Sequence, residues 1–228
     1  MHAWSAPLSP PQYRLGYSLA PAERAALTQA FQSYARSVQL QGAGKDKFRW
    51  RPPAHCAGDL HCPYQNIATR GAPDLEPIVE RFRARQAAAK LSSADLAALI
   101  VTFVQDIRYE IPKDSPFGIL PPPIVVAESR GDCDSKSLLA LMLLRSFGID
   151  SVVLSSDAHK HAILAIALPA NGTKVTYAGR QYALTEMTAS GSPIGHINPS
   201  LLRPNDWKIV PVTYGATAPK PKPTPRPR

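Results

Sequence analysis

Cys133 stands in the stretch Gly131-Asp132-Cys133-Asp134-Ser135-Lys136-Ser137, between a proline-rich loop and an apolar helical pattern. A thiol attacks a carbonyl only as a thiolate, and free cysteine, with a pKa of about 8.5, is mostly protonated near neutrality. A helix N-terminus shifts that balance, because its unpaired backbone N–H groups carry positive partial charge. The pattern from Asp134 to about Phe147, with Gly148 as its stop, predicts such a helix with Cys133 at its start. The same N–H groups are suited to an oxyanion, and Gly131 leaves room for a substrate backbone. Asp132 and Asp134 oppose a thiolate; residues of their type cap helices or bind a cation. The structural alternative is a small buried cysteine beside an ordinary cap.

A cysteine nucleophile needs a base, and the base needs an orienting group. His161 opens the apolar run His161-Ala162-Ile163-Leu164-Ala165-Ile166-Ala167-Leu168, which reads as a buried strand. Glu186 follows the run Gln181-Tyr182-Ala183-Leu184, one strand further on, where its carboxylate would fix the imidazole tautomer. His159 and His196 are competitors for the base, and a satisfied surface histidine is the plain reading of either. The order cysteine, histidine, acid on helix, strand and strand favours His161.

The elements needed to place these groups can be traced along the chain. Residues 1 to about 20 read as a Pro-rich extended arm, followed by a helix from Pro21 with Leu27, Phe31, Tyr34 and Ala35 on one face. From about Gln39 to Ala72 the period dissolves into an irregular segment, and helical signal returns from about Leu75 to Ala89. Ser92-Ser93-Ala94-Asp95 is a capped start for a helix through Leu96, Leu99, Ile100, Phe103, Val104 and Ile107. Lys113 to Arg130, with Pro121-Pro122-Pro123, reads as a constrained loop. After the cysteine helix come strands at Ser151–Leu154, 161–168, 175–177 and 181–184, the last two a hairpin across Ala178-Gly179-Arg180. A final strand covers 207–212. Helices first and an antiparallel sheet after them make an α+β fold. The expected organisation is an N-terminal arm and helical extension over 1–90, a core over 91–214, and a disordered Pro/Lys/Arg-rich tail over 215–228.

Composition narrows the partners. The 228 residues carry a formal charge of +9, and Lys220, Lys222, Arg226 and Arg228 in the last ten residues supply four of those charges. The remaining excess suits solubility or an anionic surface; with no aromatic-interleaved basic stripe, no nucleic-acid partner is expected. No apolar run approaches the roughly 20 residues of a membrane-spanning helix. Met1 to Pro7 lacks a signal-peptide pattern, which leaves either a cytoplasmic protein or a trimmed chain from the periplasm or outside. Cys56 and Cys62, in His55-Cys56-Ala57-Gly58-Asp59-Leu60-His61-Cys62, admit a disulfide, free thiols, or a metal site with the two histidines. A disulfide would favour the exported chain. The oligomeric state is not legible.

Four stretches together resemble the transglutaminase-like superfamily, and within it the bacterial transglutaminase-like cysteine peptidases. They are Phe103-Val104-Gln105-Asp106-Ile107-Arg108-Tyr109, Gly131-Asp132-Cys133-Asp134-Ser135-Lys136-Ser137-Leu138-Leu139, His161-Ala162-Ile163-Leu164-Ala165, and Tyr182-Ala183-Leu184-Thr185-Glu186-Met187-Thr188. The resemblance covers roughly residues 95–190. It implies a papain-like core, a nucleophile helix packed on an antiparallel sheet, with Cys133 as nucleophile, His161 as base and Glu186 as orienting acid. Glu186 departs from the family's usual Asp. Gln105 would line the site or polarise a carbonyl, and Asp132 and Asp134 would be binding residues. The implied reaction is amide hydrolysis of a protein or peptide substrate through a thioacyl intermediate. Its alternatives are acyl transfer to an amine and a non-catalytic module of the same fold. No cofactor or metal is expected: Asp134 matches a calcium position of some relatives, but Ser135 supplies no second acid.

Overall fold

The computed structural model describes residues 1–38, 41–42, 48–49 and 51–214. The expected disordered tail, 215–228, lies outside the described residues. In chain order the elements are β1 (His2–Ser5), β2 (Gln12–Leu15), α1 (Pro21–Ser37), β3 (Gln41–Gly42), β4 (Phe48–Arg49), α2 (His61–Ala89), α3 (Ser93–Asp106), β5 (Arg108–Tyr109), α4 (Pro122–Glu128), β6 (Arg130–Gly131) and α5 (Cys133–Arg145). Then follow β7 (Ser151–Ser156), β8 (His161–Ile166), β9 (Lys174–Tyr177), β10 (Arg180–Thr185) and β11 (Lys208–Val210). The fold is α+β, as expected.

β7 to β11 form one sheet in the order β11-β7-β8-β10-β9, each neighbour antiparallel. The β9–β10 hairpin turns at Ala178 and Gly179, both with positive φ (49° and 79°), the pair a tight two-residue hairpin turn needs. α5 lies against one face of the sheet. Val153, Ala162, Leu164 and Ile166 face it, while Val152, Leu154, Ile163, Ala165, Tyr182 and Leu184 form a second cluster on the far face with Trp207 and Ile209. That split follows the two-residue period of a strand.

On its other sides α5 is enclosed by α2, α3 and α4. Every residue of α5 except Asp134 is buried. Its polar residues therefore find partners inside. Arg145 donates from Nε to Ser151 O (3.0 Å) and from Nη1 to the carbonyls of Val212 and Tyr214, tying the segment after β11 to the helix. Asp150, also buried, lies 3.8 Å from Arg145 and accepts from Tyr182 Oη at 2.7 Å.

Three expectations need correction. Residues 1–15 are not an extended arm but a hairpin of β1 and β2. His2, Trp4, Tyr13 and Leu15 are buried and alternate with exposed residues, and Trp4 packs 5.0 Å from the Phe103 ring. The N-terminal extension thus shares one core with the remainder. The segment expected to be irregular up to Ala72 is already helical from His61, and α2 runs on through Pro73 and Pro77. Both prolines lie on its solvent face, so the carbonyls deprived of a donor (Thr69, Pro73) sit where water can reach them. The expected loop 113–130 contains α4, begun by Pro122, a residue whose fixed φ suits the first helical position.

Arg145→Ala would leave Asp150 and three main-chain acceptors without this donor. It is expected to cost about 3–5 kcal/mol in urea unfolding; a loss under about 1 kcal/mol would contradict the stapling role.

Candidate active site

Asp132 is the cap of α5: its Oδ1 accepts from Ser135 N (2.9 Å) and Ser135 Oγ (2.6 Å). Ser135 Oγ in turn accepts from Leu120 N at 2.9 Å, which ties the loop before α4 to the first turn of α5. Gly131 has a different use from the one its type suggests. A Cβ there would stand 3.2 Å from Ser135 Cβ and 3.3 Å from Val125 Cγ1. The space is closed from inside, so the glycine serves helix packing rather than substrate approach.

Cys133 is buried at the first position of α5. Its sulfur donates to Asp134 Oδ2 at 3.4 Å, and the Ala162 N–H faces it from β8. Burial, then the carboxylates of Asp134 and Asp132, push the thiol pKa up; only the Ala162 N–H opposes them. The resting sulfur is therefore a neutral thiol, not the thiolate that a helix N-terminus alone would favour. Asp132 itself is raised to about 6, by burial first and the Asp134 charge second. Asp134 also accepts from Tyr64 Oη, a fully buried phenol on α2 whose ionisation is pushed up by burial and by that carboxylate.

His161 and Glu186 meet as expected. In the β8–β10 register Thr185 pairs with Leu164, so Glu186, the residue after β10, projects beside Ile163 and diagonally to His161. His161 Nε2 lies 2.8 Å from Glu186 Oε2. The other carboxylate oxygen accepts from Thr188 N (2.8 Å) and Thr188 Oγ1 (2.6 Å). Burial by itself would raise the Glu186 carboxyl; hydrogen bonds from His161 and Thr188 overcome it and hold the group at about 2. With Nε2 occupied by the carboxylate, Nδ1 is the ring nitrogen that this bond leaves unused.

Gln105 is buried, and the donors of its amide are already used. Nε2 donates to Glu186 O (2.8 Å) and Ser192 O (2.9 Å), anchoring the loop that carries the acid. It positions Glu186 and does not line the site through a free donor. Asp132 and Asp134 likewise hold protein groups.

His159 is paired with Asp206 (3.1 Å) and stacked on Trp207, and His196 is exposed in the loop after β10. Neither joins Glu186. Cys56 and Cys62 form a disulfide with Cα atoms 5.5 Å apart, which removes both the free-thiol and the metal alternatives. Asp132, Cys133 and Asp134 bring ligand atoms within 4.8 Å of one another. Calcium takes 6–8 oxygens, whereas here two carboxylates are engaged by Ser135, Tyr64 and the thiol, so these residues do not fit that ion.

Sequence reasoning missed Tyr64, Thr188, Trp207 and Lys136. Lys136 is buried; Nζ donates to Gln105 O (3.1 Å) and Ile107 O (2.7 Å), covering the open carbonyls at the end of α3. Burial lowers its pKa to about 8 against the raising influence of Glu186 and Asp106. The edge of the Trp207 indole faces the His161 ring, with centroids 6.3 Å apart. One signal was available for Lys136: a charged residue one turn into an otherwise apolar helix.

Comparison with protein-family models, with curated proteins and with solved structures finds no match. Among the described residues no helix is long and apolar enough to cross a membrane.

Two outcomes follow from the charges. Glu186 is held at about 2 against an ordinary 4.5, so its contribution to stability is complete above about 4.5 and is lost as pH falls toward 2. Urea unfolding across that window should lose this component in Glu186→Gln; parallel curves for the two proteins would contradict it. Asp134→Asn removes the charge beside the sulfur, so the thiol pKa should fall and iodoacetamide alkylation near neutral pH should speed up. An unchanged or slower rate would show that Asp134 does not restrain the thiol.

Proposed function

We propose that this chain is a cysteine-dependent amide hydrolase of the transglutaminase-like, papain-like type, with Cys133, His161 and Glu186 as its triad. The observation that carries this reading is the 2.8 Å bond between Glu186 and His161 on a strand whose next N–H, that of Ala162, faces the Cys133 sulfur. The α+β order of the chain, with a nucleophile helix on an antiparallel sheet, supports the same reading.

The chemistry divides into two halves. The Cys133 proton passes to His161 Nδ1 as sulfur bonds to the amide carbon and the carbonyl electrons move onto oxygen. The first-turn N–H groups of α5, those of Cys133 and Asp134, have no intrahelical acceptor and are suited to that oxyanion. The C–N bond then breaks, and His161 gives its proton to the leaving amine. Water, deprotonated by His161, attacks the resulting thioester; the acid leaves and the thiol is restored. Glu186 holds the Nε2–H tautomer throughout and stabilises the imidazolium between the two proton transfers. Because the resting sulfur is a neutral thiol, proton transfer accompanies attack rather than preceding it.

Mass spectrometry of a protein substrate incubated with the enzyme and a primary amine tests the reading. Cleavage products are expected, reduced about 10³-fold or more by Cys133→Ala and by His161→Ala. Amine incorporation without cleavage would replace hydrolysis by acyl transfer. A protein that retains Cys133 yet gives neither cleavage nor amine incorporation would remove catalysis altogether.

A further inference from the structure

Among the described residues only four large apolar side chains are exposed: Met1, Tyr109, Ile111 and Leu202. Two of them, Tyr109 at 51% and Ile111 at 58% exposure, lie two positions apart in one short extended segment. That segment is β5 with the residues after it, and β5 pairs in parallel with β6, the strand that ends at Gly131, two residues before the nucleophile. Side chains two apart in an extended segment share a face. The residues flanking Tyr109, Arg108 and Glu110, are tied down: Glu110 pairs with both Arg108 (2.7 Å) and Arg130 (3.1 Å). Arg130 in turn holds Asp114 and Glu128. Tyr109 is thus presented on a braced strand, with Ile111 two residues further along, just past its end.

The register also leaves main-chain groups unused. Glu110 N–H donates to Gly131 O at 3.1 Å, so the backbone of Glu110 faces β6. In an extended strand the N–H and C=O of successive residues point to opposite edges. Those of Tyr109 therefore face away from β6, and no other described strand pairs with β5. The Tyr109 phenol is close enough to Cys133, Asp132, Asp134 and Glu186 for their charges to raise its ionisation, after burial, which is the larger cause. The Tyr109 side chain thus lies in the neighbourhood of the nucleophile, and β6, with which β5 pairs, ends two residues before it.

We propose that the outer edge of β5 is the substrate-docking strand, where Tyr109 N–H and C=O pair with the backbone of an extended peptide whose bulky apolar side chain packs on Tyr109 and Ile111, beside the bond presented to Cys133. This deepens the amide-hydrolase reading and rests on it. Strand addition of this kind draws affinity from main-chain hydrogen bonds and selectivity from alternate side chains. The nearby carboxylates of Asp132, Asp134 and Glu186 set the remaining selectivity: they repel acidic residues around the scissile bond. The occupant is thus an extended, apolar, non-acidic peptide segment.

Binding can be read without turnover, which keeps this proposal separate from the catalytic one. The probe is an equimolar pool of N-acetylated, C-amidated hexapeptides with one randomised central position, captured on immobilised Cys133→Ala protein and counted by mass spectrometry. Peptides with Leu, Phe, Tyr or Trp should be enriched about 10-fold over those with Ser or Asp, a factor in keeping with one well-packed apolar side chain. The enrichment should vanish when Tyr109→Ala and Ile111→Ser are added, and the captured peptides should bind at least several-fold more weakly once N-methylated at the randomised residue. No capture, enrichment without apolar preference, or enrichment indifferent to Tyr109 and Ile111 would each overturn the docking strand. None of these would bear on the triad, whose own failure would appear as turnover that is absent or that survives Cys133→Ala.

Discussion

The architecture depends on burying α5 from every side. A helix enclosed by a sheet on one face and three helices on the others cannot leave polar groups to water. Asp132 caps its start, Lys136 and Ser135 bind main-chain groups of neighbouring segments, and Arg145 holds the chain after β11. Apart from the local Asp132 cap, these contacts reach other segments of the chain. The buried helix therefore organises its surroundings as much as it is enclosed by them.

The same enclosure sets the chemistry of the thiol. The helix N-terminus favours a thiolate by a partial charge, but burial and two full negative charges within the same turn outweigh it. The balance is a protonated sulfur donating to Asp134. The opposite happens at Glu186. It is buried too, yet the hydrogen bonds of His161 and Thr188 more than repay its desolvation, and the carboxylate stays charged. Two acidic groups in one small region are thus driven to opposite protonation states by whether donors reach them.

Other contacts fix the acid in place from outside the strand. Gln105 on α3 holds the backbone of Glu186 and of Ser192, and Lys136 on α5 closes the end of α3 just beyond Gln105. The placement of Cys133, His161 and Glu186 is therefore distributed over α3, α5, β8 and the loop after β10. The Cys56–Cys62 disulfide stands at the start of α2, near Tyr64, which reaches Asp134 from the same helix.

The sequence by itself determined the periodic elements and the order of the reactive residues. Leu96 to Ile107 repeats at helical spacing, the strands alternate or run apolar, and Cys133, His161 and Glu186 fall at element ends that a local pattern can mark. It misjudged α2 and α4 because proline is locally a breaker; only an exposed face or a first-turn position makes it tolerable, and both are tertiary facts. It also misassigned Gly131 and Gln105, whose residue types fit a substrate site while their neighbours use them for packing and anchoring. The protonation of Cys133 and the use of Lys136 were decided by the tertiary structure alone. Desolvation and hydrogen bonding depend on which atoms surround a group, and those atoms come from segments far apart along the chain.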